Sequence, residues 1–123
     1  MAGTQNCPRL FALLLTAVTA LAIWGGQPAS AQTRVALVIG NSDYRDLGPL
    51  ANPANDADLM AESLRGLDFE VMVSTDLDQK SMKRAIKAFG RRLDEAGSDS
   101  VGLFYYAGHG VQVDGANFLI PIG

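Results

Sequence analysis

One cysteine, one histidine and one tryptophan occur in 123 residues. The lone cysteine, Cys7, excludes a disulfide framework within the chain and a four-thiolate zinc site. A single histidine cannot build the paired-histidine zinc motif H-E-x-x-H. No G-x-x-x-x-G-K-[ST] is present, which excludes a P-loop, and Gly40-Asn41-Ser42-Asp43 does not continue into the dinucleotide pattern G-x-G-x-x-G. The G-x-S-x-G nucleophile elbow is missing as well. Neither sign of charge dominates: 19% of residues are charged and the formal net charge is −3. Phosphate binding needs clustered Lys and Arg, so nucleic acid is not an expected partner. The length suits one domain, and there is no internal repeat or low-complexity tract.

What is present is unevenly spread. The free amine and Arg9 precede an uncharged run from Leu10 to Trp24, followed by Gly25, Gly26, Pro28 and then Ala29-Ser30-Ala31. A positive start, an apolar centre and an A-x-A end describe a secretory signal peptide cleaved after Ala31. The fifteen residues of the run are short for a membrane span, which needs about 20. Cys7 lies before the apolar run rather than at its end, so it is not a lipoprotein cysteine and leaves with the signal. The expected organisation is therefore 1–31 as signal peptide and 32–123 as one domain, exported to the periplasm or the extracellular space, without a membrane attachment after cleavage. Residues 32–123 carry no cysteine and a net charge of −4, because Arg9 is the only charge removed.

Val35-Ala36-Leu37-Val38-Ile39 is a continuous apolar run ending at Gly40-Asn41, which predicts a strand buried on both faces of a parallel sheet. A loop with Gly48, Pro49 and Pro53 follows. Asn55 or Asp56 is the expected N-cap of a helix whose apolar face is Met60, Leu64 and Leu67, ending at Gly66. Phe69 to Val73 predicts a second strand. Asp78 is the expected cap of the next helix, with Leu77 and Met82 as a hydrophobic staple across it. Met82, Ile86, Phe89 and Leu93 form the apolar stripe of that helix, and Lys83, Arg84, Lys87, Arg91 and Arg92 its solvated faces. Gly97 is the expected stop.

Val101 to Tyr106 predicts a third buried strand running into Ala107-Gly108-His109-Gly110. Val111-Gln112-Val113 and Asn117 to Ile120 flank Asp114-Gly115-Ala116, a hairpin signal. Alternating strands and helices predict a three-layer α/β/α sandwich with a mainly parallel sheet. In such sheets ligands bind beyond the carboxyl ends of the strands. His109 falls there, after strand three, at the same end as Asn41 to Tyr44 after strand one. Histidine exchanges protons near neutral pH, so this one is a candidate general acid or base, or else only a turn residue. Asp43, Asp46, Asp56 and Asp58 near the end of strand one are a candidate cation site, which capping and solvated loop charge explain equally well.

Taken in order, Val35 to Asn41 with Tyr44, Asn55-Asp56-Ala57 opening a helix, the Met82/Ile86/Phe89 helix, and Phe104-Tyr105-Tyr106-Ala107-Gly108-His109-Gly110 resemble the large-subunit domain of the caspase-like cysteine peptidases, prokaryotic metacaspase-type members above all. The resemblance covers about residues 33–123. It implies peptide-bond hydrolysis by a Cys-His dyad. His109 matches the catalytic histidine, the amide of Gly110 an oxyanion-hole donor, and Asp56 an acid of the S1 pocket suited to Arg or Lys in the substrate. No arginine lies between Leu47 and Asn55, where animal caspases place one that recognises Asp. The family's cysteine lies on the next strand, beyond Gly123, so the expectation is a domain truncated before its nucleophile, a fragment or inactive alone. No metal and no cofactor are evident; a calcium requirement would lie in segments this sequence does not contain. The partner implied is a polypeptide substrate. The rival expectation is a non-catalytic member, a pseudoenzyme or protein-binding module on the same scaffold.

Overall fold

A computed structural model describes residues 32–123. The expected signal peptide, 1–31, and Cys7 within it lie outside the described residues. The elements run β1 (Arg34–Gly40), α1 (Pro53–Arg65), β2 (Glu70–Thr75), α2 (Gln79–Ala96), β3 (Val101–Ala107), β4 (Gly110–Val113) and β5 (Ala116–Leu119). β1, β2 and β3 form a parallel sheet in the order β2-β1-β3, while β4 and β5 form a separate antiparallel hairpin.

β1 is the centre of the sheet because, after the exposed Arg34, its sequence offers no polar side chain to either face. Val35 to Ile39 have no solvent exposure. The two-residue alternation of a strand divides them between two cores. Ala36 and Val38 pack with Ala57 and Leu64 of α1, whereas Leu37 and Ile39 pack with Met82 of α2. The two helices therefore cover opposite faces of β1, which makes the three layers. Gly40 sits where α1 starts against the sheet: a Cβ there would overlap the Pro53 carbonyl oxygen and lie 2.8 Å from the Ala57 Cβ.

The first helix starts earlier than the sequence predicts. Pro53 is its first residue and Asn52 its N-cap, with no bond from the Asn52 side chain. Proline's fixed φ and missing N–H suit that first position. The helix donor at Ala54 goes instead to Ser42 Oγ, 3.1 Å away in the loop after β1. Asn55 and Asp56 are thus not caps but lie in the first turn. The apolar face is Ala57, Ala61 and Leu64; Leu67 lies past the helix end at Gly66 and is exposed.

α2 starts as its sequence dictates: Asp78 accepts the Ser81 amide at 2.7 Å, with Leu77 and Met82 in one core cluster. Its buried face runs Met82, Ala85, Phe89. The expected stripe member Ile86 is 44% exposed because the helix approaches the sheet through the smaller Ala85. Arg92 leaves the solvated set, its guanidinium gripping both carboxylate oxygens of Glu70 at the start of β2. β3 is only half-buried rather than the buried strand expected. Among the described residues it pairs only with β1, and its Phe104 is 44% exposed. The hairpin turn has Asp114 at φ 50° and Gly115 at φ 80°, the paired positive values that Asp-Gly favours.

Candidate active site

β1 and β3 end side by side, with Gly40 paired to Ala107. One further bond, from the Asn41 amide to the Ala107 carbonyl at 2.8 Å, carries the pairing past the strand ends. Beyond it the two chains diverge, and their loops meet at His109. This is the carboxyl edge where α/β sheets place ligands.

The loop after β1 is held by groups the sequence reading passed over. Asp76, in the turn after β2 with φ 51°, accepts the amides of Ser42 and Asp43 at 2.8 and 2.9 Å. Asn41 is fully buried. Its Oδ1 accepts the Leu77 amide at 2.9 Å, and its Nδ2 donates to the Leu77 and Ile120 carbonyls at 3.3 and 3.4 Å. These bonds join residues 33 to 79 positions apart in sequence. No local pattern announces them, although a polar Asn closing an apolar strand was a signal that its side chain needed partners.

Tyr44 is delivered by this loop into the interior, where it is 3% exposed. Its ring meets the His109 imidazole edge-on, centroids 4.6 Å apart and planes at 68°. Its hydroxyl oxygen accepts the His109 backbone amide at 3.0 Å and donates to the Ile120 carbonyl at 2.9 Å. Tyr106 donates to the same carbonyl at 2.7 Å and lies 3.0 Å from the His109 carbonyl. Burial, and then the bond to Tyr44, push the Tyr106 phenol well above its ordinary pKa. The Tyr106 hydroxyl therefore stays a neutral donor at physiological pH. A Cβ on Gly108 would stand 2.6 Å from each hydroxyl oxygen, so only glycine fits before the histidine.

His109 itself is held through its backbone, and its Nε2 is buried without a hydrogen-bond partner among the described residues. Leaving such a group unpaired costs about 1–3 kcal/mol unless something else is meant to bind it. An imidazole fixed in place with a free nitrogen is what proton transfer to or from a reacting group requires. Gly110 follows at the first position of β4, exposed and opposite Leu119.

Asp56 is exposed in the first turn of α1, with no side-chain hydrogen bond to His109 or Gly110 among the described residues. The position is electrostatically favourable, since a carboxylate there faces the positive end of the helix dipole. Asp43, Asp46, Asp56 and Asp58 do not converge: among the described residues no three His, Cys, Asp or Glu side chains gather as metal ligands. A cavity of about 550 Å³ lies along the same edge, lined by Asp43, Arg45, Asp76, Asp78, Ser81 and Ile122 among others.

The caspase-domain family profile matches residues 33–123. The chain is 39% identical over 92 residues to the human mucosa-associated lymphoid tissue lymphoma translocation protein 1, covering 75% of this chain and 11% of that protein. The mouse homologue is 39% identical over 97 residues, 79% of this chain and 11% of its own length. Horse caspase-1 is 33% identical over 81 residues, 66% of this chain and 20% of its own. The chain thus spans a small part of each relative. Matched over essentially all its described residues, with a parallel α/β sheet whose third strand delivers the Ala107-Gly108-His109-Gly110 turn, the chain belongs to the caspase-domain family of cysteine peptidases.

Proposed function

We propose that residues 32–123 are the histidine-bearing part of an exported, metacaspase-type cysteine endopeptidase that cleaves polypeptides after Arg or Lys. The observation that carries this reading is the buried, unpartnered Nε2 of His109, on a residue whose backbone is fixed by Tyr44. In the chemistry proposed, the imidazole takes the proton of a cysteine thiol and the thiolate attacks the scissile carbonyl carbon. The C–N bond then breaks as His109 returns the proton to the departing amine, and water hydrolyses the thioester. The Gly110 amide would stabilise the oxyanion. Asp56, exposed and anionic at the same edge of the sheet, supports recognition of a basic side chain.

Residues 32–123 contain no cysteine, so the reading assigns the nucleophile to a segment outside them. The second reading is a non-catalytic caspase-like module that binds rather than cuts. The product of the complete reading frame that encodes this chain, assayed on peptides with Arg, Lys or Asp before the scissile bond, separates the two. Cleavage after Arg and Lys that a thiol alkylator abolishes is the expected result, with Asp56→Ala weakening the basic preference. No cleavage, and no labelling by a cysteine-directed probe, would leave the binding module.

A further inference from the structure

The hairpin register contains an irregularity at His109. Pairing of Gly110 with Leu119 places His109 opposite Ile120. Opposed residues in an antiparallel ladder that bond at all normally exchange two N–H to carbonyl bonds. Here one is made, from the Ile120 amide to the His109 carbonyl at 3.0 Å. The reciprocal bond is replaced by a relay: the His109 amide donates to Tyr44 Oη at 3.0 Å, and Tyr44 Oη donates to the Ile120 carbonyl at 2.9 Å. A phenol from the β1 loop has been inserted into one rung of the hairpin.

We infer that Tyr44 is a positioning residue for His109, setting both the backbone and the ring of the histidine through this inserted rung. A direct rung would close the hairpin equally well as structure, so hairpin stability alone does not call for the phenol. What the insertion adds is a link from the β1 loop, itself anchored by Asp76 and Asn41, to the His109 backbone through the hydroxyl and to the imidazole through the ring edge. Tyr44 acts only through His109. Tyr106 supports the arrangement from β3, sharing the Ile120 carbonyl, but does not accept the His109 amide. The kinetic consequence rests on the peptidase reading; the structural one stands without it.

The test uses Tyr44→Phe, which keeps the ring contact and deletes the relay. The chain has one histidine, so its imidazole signal in an NMR spectrum is unambiguous. In the 123-residue chain, the imidazole carbon-bound proton shifts are expected to stay near wild type. The His109 amide is expected to exchange about fivefold to tenfold faster, the scale of one hydrogen bond. Tyr44→Leu is expected to move the imidazole signals as well, and Tyr106→Phe to perturb the His109 amide less than Tyr44→Phe. In the product of the complete reading frame, Tyr44→Phe is expected to lower kcat by a similar factor with KM unchanged. An unaltered His109 amide in Tyr44→Phe, or a changed KM with unchanged kcat, overturns the inference. If the wild-type protein cleaves nothing, the peptidase reading fails, and the amide and imidazole signals still decide the positioning role.

Discussion

The hydroxyl oxygens of Tyr44 and Tyr106 lie 2.9 Å apart, one carried by the loop after β1 and the other by β3, and both reach the carbonyl of Ile120. Residues 62 positions apart in sequence thus close one polar junction beneath the histidine. Gly108 leaves the room for it. Gly108→Ala puts a methyl group 2.6 Å from each hydroxyl oxygen, closer than a side-chain carbon can stand without a shift of the tyrosines. The expected loss is about 1–3 kcal/mol, typical of forcing extra volume into a packed site. The midpoint of urea unfolding measures it, and an unshifted midpoint would contradict the tight approach.

Alkaline stability follows from Tyr106. Its pKa is raised above the ordinary 10.0, first by burial and then by the bond to Tyr44. The unfolded chain therefore ionises this phenol before the folded chain does. The stabilisation is complete below the ordinary value and is lost as pH rises through it toward the folded-state value. Melting temperature followed upward from about pH 8 should fall more steeply in the wild-type protein than in Tyr106→Phe. Parallel curves would contradict the assignment.

At the acid end the sign reverses. Hydrogen bonding by Arg92 holds Glu70 below the usual carboxylate range, and the Ser81 bonds do the same for Asp78. Both contributions are present above that range and are lost as pH falls through the lowered folded-state values. Both groups are exposed, so each effect is small and screened by salt. Asp78→Ala should lower the melting temperature at neutral pH and flatten the decline below about pH 4. An unchanged acid limb would place the titrating groups elsewhere.

The parts of this molecule legible in its sequence are those decided locally. Val35 to Ile39 announce a central strand because nothing polar interrupts them, Asp78 announces a helix start, and Asp114-Gly115 announces a hairpin. His109 is legible as a candidate site residue because two glycines flank it at the end of an apolar strand. The start of α1 was not legible, because its free donor is met by Ser42 from another loop and Pro53 fixes the first turn. Nor was the half-exposure of β3, since a strand's apolar composition does not say how much of each face its neighbours cover. Asp76, Asn41 and the tyrosine junction act across long sequence separations, and only the folded chain brings their partners together.

The central claim is that His109 transfers protons in peptide-bond cleavage. The direct measurement is kcat/KM for an Arg- or Lys-containing peptide, comparing the complete protein with its His109→Ala variant at equal thermal stability. A fall of about 10²–10⁴-fold is predicted, the contribution of a positioned acid-base group. Equal activity in the two proteins would contradict it.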